Sequence, residues 1–191
     1  MNFLKNFFKK SNEKVSNIED DEKVVSIILN IVACITDNNQ EVKSKLEACI
    51  KDSNVYLNML DELYGIPDLP YHRNNEELYW VIMIDVLCFY NYVSELDWKI
   101  ELEDFLYNLE YIKNIIEFDN SILREENENG ELFGVDEWCK TINSVWEKED
   151  MCIAQIEKES DSYVLLPCTL EKYNKILELS KELSYTFYKW K

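Results

Sequence analysis

Glycine, proline and histidine are scarce in this 191-residue sequence, which has three glycines, three prolines and one histidine. No glycine precedes a Lys-Ser or Lys-Thr pair, so a P-loop and a glycine-rich dinucleotide fingerprint are excluded. The lone His72 follows a proline break and has no second histidine beside it. A histidine-dependent hydrolase and a zinc site are therefore both disfavoured.

Paired cysteines and a membrane span are also missing. The six cysteines form no Cys-x-x-Cys pair, and Cys34, Cys88 and Cys152 lie in apolar stretches, which predicts buried thiols in a reducing compartment. No pattern typical of a secretory signal occurs, so the expected location is the cytoplasm. The most apolar segment, Glu76 to Leu96, is interrupted by Asp85, and we expect no integral membrane segment.

Acidic residues outnumber basic ones by 38 to 20, which gives a formal net charge of −18. A field of this sign repels phosphate backbones and anionic lipid and attracts basic proteins. We therefore expect no nucleic-acid partner and hypothesise a basic protein partner. Acidity also serves solubility by itself, and the sequence leaves that alternative open.

Hydrophobic residues make up 47% of the chain, which is enough to enclose one core at this length. The prediction is an N-terminal amphipathic segment and polar linker over 1–21, followed by a single mainly helical globular domain over 22–191. The first segment places Phe3, Phe7 and Phe8 on one helical face beside lysines. Two interpretations stay open for it: a weak membrane-surface contact, or a short helix packed on the domain.

Apolar residues at helical spacing predict six helices before residue 150. These helices cover Val24–Ile35, Asp37–Lys51, Ser53–Gly65, Glu76–Leu96, Leu102–Ile116 and Val135–Lys148. The β-branched residues of the first segment leave a strand open as the alternative there. Asp37 is expected to cap the second helix, with Gln40 three residues further on as in a capping box. The acidic stretch 120–134 holds two of the three glycines and is expected to be a loop.

The pattern changes to β-prone near the C-terminus. Met151–Ile156 and Tyr163–Leu166 are short runs separated by a polar turn, which predicts an antiparallel hairpin. Pro167 is expected to stop the second strand, and Thr169 to cap a final helix. The predicted fold class is α+β: a predominantly helical single domain with a small antiparallel β-hairpin near the C-terminus, followed by a terminal helix.

Two short motifs resemble those of a small bacterial family that is known only as a domain of unknown function. They are Glu95-Leu-Asp-Trp-Lys99 and Ser160-Asp-Ser-Tyr-Val-Leu165. The similarity covers about Asn75 to Phe187 and implies an α+β domain whose Ser-Asp-Ser-Tyr segment ends a hairpin. The family implies no activity, so no catalytic residue is carried over. In general style its members are similar to bacterial immunity and toxin-neutralising proteins, which is an analogy only.

Asp85 is the best single candidate for chemistry. Burial among Leu, Ile, Phe and Tyr side chains disfavours an ionised carboxyl, and such a group can act as an acid or a base. The alternative is that Asp85 reaches the surface or pairs with a lysine.

Asp97, Glu101 and Asp104 are spaced by four and three residues, which would place them on one face of a continuous helix. Hard cations bind such oxygen clusters. Three acids on an amphipathic helix are more often its solvated face, and Asp97 can instead cap the helix. We assign no metal site and expect no cofactor.

Ser160, Asp161, Ser162 and Tyr163 are candidates for a polar ligand-contacting loop, although turn chemistry explains the same residues more simply. Trp98 stands among acidic residues and is a candidate interface anchor.

Our first functional hypothesis is a non-catalytic acidic protein-binding domain, with toxin neutralisation as its sharpest version. The alternatives are an enzyme or metal-dependent ligand binder that uses a carboxylate cluster, and a structural accessory domain.

Overall fold

The computed structural model describes residues 18–65, 74–113, 121–128 and 134–191. The helices in these ranges are α1 Ile18–Ile35, α2 Gln40–Lys51, α3 Ser53–Tyr64, α4 Asn75–Phe89, α5 Leu102–Glu110, α6 Ser121–Glu128, α7 Val135–Trp146 and α8 Leu170–Leu179. The strands are β1 Ser94–Asp97, β2 Met151–Ile156, β3 Ser162–Thr169 and β4 Phe187–Lys189. The predicted α+β class is confirmed, with mostly helices and a small antiparallel sheet.

The four strands form one sheet in the order β1-β3-β2-β4, and all neighbours are antiparallel. The predicted hairpin is its centre, with Cys152 opposite Cys168 and Ile156 opposite Val164. One edge strand, β1, comes from a segment far upstream, and the other, β4, follows the last helix. The sheet therefore joins the middle of the chain to its C-terminal part.

Helices cover both faces of the sheet. On one face, Cys152, Val164 and Leu166 share a core with α1, α2, α3, α4 and α8. On the other face, Ile153 and Leu165 share a second core with α5, α6 and α7. Successive side chains of a strand point to opposite faces, so β2 is apolar at nearly every position because both of its faces are buried.

Several predicted element boundaries are wrong. The helix predicted to Leu96 ends at Phe89, because Asn91 adopts a left-handed φ of 57° and the Tyr92 N–H bonds back to the Leu87 carbonyl. The chain can then extend into β1. The stretch predicted as a loop contains α6.

The cap of α2 is also different from the prediction. Asp37 has a left-handed φ of 53° and does not cap α2. The Asn39 side chain accepts hydrogen bonds from the Glu41 and Val42 amides instead, and α2 begins at Gln40. Thr169 does cap α8, as predicted, by accepting from the Lys172 amide.

Pro167 does not stop β3, which continues to Thr169. Its partner in register is Ile153. The Ile153 N–H donates to the Asn143 side-chain oxygen, and the Ile153 carbonyl accepts from the Asn143 side-chain nitrogen. Ile153 and Pro167 are therefore a pair that exchanges no hydrogen bonds. On the other side of β3, β1 begins at Ser94 opposite Leu165 and does not extend to Pro167. The missing N–H of Pro167 costs this sheet no hydrogen bond.

None of the helices in the described ranges is long and apolar enough to cross a bilayer. Phe3, Phe7, Phe8 and His72 lie outside the described residues.

Candidate functional site

The two motifs that carried the resemblance are paired strands. The segment Ser94–Asp97 lies antiparallel to Ser162–Leu165, with Asp97 opposite Ser162. The β2–β3 turn therefore comes beside the end of β1, and Trp98 follows directly. This register brings together candidate residues that are more than 60 positions apart in the sequence.

A surface groove of about 470 Å³ lies at this junction. Its lining residues are Trp98, Gln155, Ser160, Asp161, Ser162 and Tyr163. Five of the six were candidates from the sequence alone. The volume lies within the roughly 300–1,000 Å³ that is typical of ligand sites.

Tyr163 lines one side of the groove and is held by a hydrogen bond to Asp136, which also binds Trp190. The Tyr163 hydroxyl donates to Oδ2 of Asp136 at 2.9 Å, and the Trp190 indole N–H donates to the other carboxylate oxygen at 2.6 Å. Burial, followed by the hydrogen bond to Asp136, raises the pKa of Tyr163 to about 12. Tyr163 therefore stays protonated and holds its ring in place.

An ion pair between Lys158 and Glu95 links the β2–β3 turn to β1. Lys158 Nζ lies 2.6 Å from each carboxylate oxygen of Glu95, and both side chains are only 19% exposed. The Ser162 hydroxyl also donates to Glu95, at 2.5 Å, and Oγ of Ser160 lies 2.6 Å from Oγ of Ser162. Ser160 and Ser162 therefore do stabilise the turn, as its chemistry suggested, and they also line the groove.

Asp85 lies in the first core and is only 3% exposed. It does not reach the surface, and it forms no ion pair with any lysine of the described ranges. Tyr56 donates to its Oδ2 at 2.5 Å, and Tyr64 donates to its Oδ1 at 3.2 Å. Burial raises the pKa of Asp85 to about 6, while the hydrogen bond from Tyr56 and the charge of Lys158 act in the opposite direction.

Asp85 does not line the groove. Both of its oxygens accept hydrogen bonds from tyrosine hydroxyls inside the core. The groove's own carboxylate is that of Asp161, which is exposed.

The predicted carboxylate face is divided between different structures. Asp97 ends β1 and accepts from the Lys99 amide, Glu101 precedes α5 without a side-chain capping bond, and Asp104 lies in the first turn of α5. All three are exposed. Across the described ranges, no three Asp, Glu, His or Cys side chains are grouped as a metal site would require.

Sequence reasoning missed Gln155, Tyr107 and Tyr111. Gln155 is the one polar residue in β2. A single amide in an otherwise apolar strand could have marked it as a candidate site residue. Tyr107 and Tyr111 lie four residues apart, with Tyr107 on α5 and Tyr111 directly after it, and both are 59% exposed. Aromatic residues on the polar side of an amphipathic helix were the signal there.

The fold and the groove define an acidic three-layer α+β domain with a small surface site. The chain belongs to the family described as Domain of unknown function (DUF6630), which matches residues 27–190. That match extends the resemblance to the helices before Asn75, where the sequence motifs had shown none. No curated protein and no solved structure shows significant similarity to the chain.

Proposed function

We propose that this chain is a non-catalytic cytoplasmic domain that binds a basic protein partner. The observation that carries the proposal is the exposure of three large aromatic side chains within one short segment. Trp98 is 54% exposed, and Tyr107 and Tyr111 are each 59% exposed. Half of the large exposed hydrophobic side chains among the described residues lie between residues 98 and 111.

We call residues 97–111 the aromatic segment. The rings of Tyr107 and Tyr111 pack against each other with centroids 4.8 Å apart, and a depression of about 260 Å³ lies beside them. Aromatic side chains of this kind are the usual anchors of protein interfaces, because they bury large areas at low entropic cost.

The aromatic segment also carries carboxylates. Asp97, Glu101, Asp104 and Glu110 are all exposed in the aromatic segment, and the whole chain carries a net charge of −18. Electrostatic attraction would therefore steer a basic protein toward the aromatic segment. The association rate constant should fall as the salt concentration rises. Toxin neutralisation is the sharpest form of the proposal, since a tight acidic binder masks a basic active surface. The carboxylate-dependent enzyme and the accessory domain stay alternative predictions.

The test compares the chain with a double variant, Tyr107→Ser/Tyr111→Ser. Tagged versions of both are used to capture proteins from native lysate at low and moderate salt, and bound proteins are then purified and titrated calorimetrically. Tyr188→Ser is the matched control, because Tyr188 is 41% exposed but lies on β4.

We expect a basic protein that binds the wild type and the control stoichiometrically and binds the double variant at least about tenfold more weakly, as for the loss of interface anchors. Binding that the double variant retains, a partner that is not basic, or the capture of no stoichiometric partner would each refute the proposal.

A further inference from the structure

We propose that the groove beside Trp98 binds an arginine side chain of the basic partner, an inference that rests on the proposed function. The argument comes from the hydrogen-bonding groups that line the groove. A guanidinium carries five N–H donors and no acceptor, so its site must present acceptors and a flat apolar face.

Gln155 supplies the first indication of a ligand. The residue is only 8% exposed, and it lines the groove from the central strand β2. Within the described part of the chain, the Gln155 side-chain amide makes no hydrogen bond. The polar atoms of this amide are not among the fully buried, unpaired ones of the described residues, so they open onto the groove and a bound group can reach them.

The two serine hydroxyls present an acceptor as well. Ser162 gives its proton to Glu95, so the proton between Ser160 and Ser162 must come from Ser160. Oγ of Ser160 has then used its only proton. It also accepts from the Ser162 amide at 3.4 Å, which leaves it one further acceptor position at the groove. With the Asp161 carboxylate and the Gln155 carbonyl oxygen, the lining offers three acceptors, one of them charged.

Trp98 supplies the flat face. Its indole already holds a cation, since Nζ of Lys99 lies 4.6 Å from the ring centroid. Guanidinium groups stack on tryptophan faces better than ammonium groups do. The Asp161 carboxylate can accept two parallel hydrogen bonds from an arginine, whereas a lysine ammonium interacts with it as a single point charge. The groove is therefore expected to distinguish arginine from lysine.

The test uses short peptides and needs no knowledge of the partner. An acetylated, amidated Gly-Gly-Arg-Gly-Gly peptide is titrated into the ¹⁵N-labelled full chain, and the Trp98 indole N–H and Gln155 side-chain amide signals are followed by NMR. Lysine and citrulline versions of the peptide and a neutral monosaccharide are titrated in parallel. The variants are Asp161→Asn and Gln155→Leu, and Asp61→Asn is the control because Asp61 is an exposed carboxylate on α3 that does not line the groove.

We expect saturable shifts of both signals with the arginine peptide at millimolar concentration, as befits one side chain. The lysine and citrulline peptides and Asp161→Asn should each weaken binding by about tenfold, because a charge-assisted hydrogen bond is lost. Gln155→Leu should weaken it as well, and Asp61→Asn should leave it unchanged.

Unmoved signals, equal binding of the citrulline peptide, or preference for the monosaccharide would overturn the arginine site. None of these results bears on Tyr107 and Tyr111, so the proposed function would survive them. The opposite result is also distinguishable. If the arginine peptide binds in the groove but Tyr107→Ser/Tyr111→Ser does not weaken partner binding, the arginine site is supported and the proposed function is refuted.

Discussion

The Tyr56 hydroxyl donates a 2.5 Å hydrogen bond to Oδ2 of Asp85, and both residues are buried. This bond joins α3 to α4 inside the larger core. An ionised carboxylate in such a place is stabilised by its donors but still loses most of its hydration. Asp85 therefore couples the stability of the fold to pH.

Asp85→Asn should alter that pH dependence. The ordinary pKa of Asp85 is 3.8 and burial raises the pKa to about 6, so between these values the carboxyl ionises in the unfolded chain only. Because Asp85 ionises more readily in the unfolded chain, the free energy of unfolding falls as pH rises. This decrease is complete above pH 6. Two pKa units correspond to about 3 kcal/mol. Wild type should lose about that much more stability than Asp85→Asn between pH 4 and pH 7.

Urea unfolding of both proteins at a series of pH values measures the difference. Asp104→Asn serves as the control, because Asp104 is exposed on α5, and its pH profile should follow that of wild type. Parallel profiles for wild type and Asp85→Asn would contradict the prediction.

Tyr56→Phe should destabilise the protein at neutral pH by about 1–3 kcal/mol, because the buried Asp85 carboxylate loses its shortest hydrogen bond. The loss should be smaller at pH 5, where Asp85 is mostly protonated. A double-mutant cycle with Asp85→Asn, measured by urea unfolding, isolates the pair. A coupling energy near zero at pH 7 would show that Tyr64 alone supports the carboxylate.

Asn143 should be one of the most sensitive positions for stability. It is 3% exposed, and its side chain donates to the carbonyls of Ile153 and Trp190 and accepts from the Ile153 amide. Asn143→Ala leaves these buried backbone groups unpaired, at an expected cost of about 2–4 kcal/mol. Thermal and urea unfolding measure it, and Ser144→Ala on the exposed side of α7 should cost less than about 0.5 kcal/mol. Equal effects of the two substitutions would refute this role.

The six thiols should differ in reactivity. Cys49, Cys139, Cys152 and Cys168 are buried, while Cys34 and Cys88 are partly exposed. Burial raises the pKa of Cys88 to about 12, and it also raises the pKa of Cys34. At pH 8 a thiol-specific chromogenic reagent should react first with Cys34, and all six thiols should react only in denaturant. Cys34→Ser should remove the first phase, and its persistence would contradict the exposure of that site.

Local patterns in the sequence were sufficient for much of the fold. The amphipathic spacing of α5, the left-handed Gly65 after α3, the Thr169 cap and the β-prone runs of the hairpin all depend on residues close in the chain. They could be predicted because each is decided by side-chain periodicity or by backbone conformation within a few positions. Net charge and the absence of nucleotide motifs are likewise properties of the sequence itself.

Pairing between distant segments was decided only by the tertiary structure. The sequence pattern predicts Ser94–Leu96 as the end of a helix, and Ser94–Asp97 is a strand because β3 offers it an edge. The groove exists because that pairing places Trp98 beside Ser160–Tyr163, and Gln155 enters it from β2. Asp85 is held by two tyrosines from α3 that its neighbours in sequence do not indicate. Sheet register and burial depend on contacts across the whole chain, and periodicity within one segment carries no information about them.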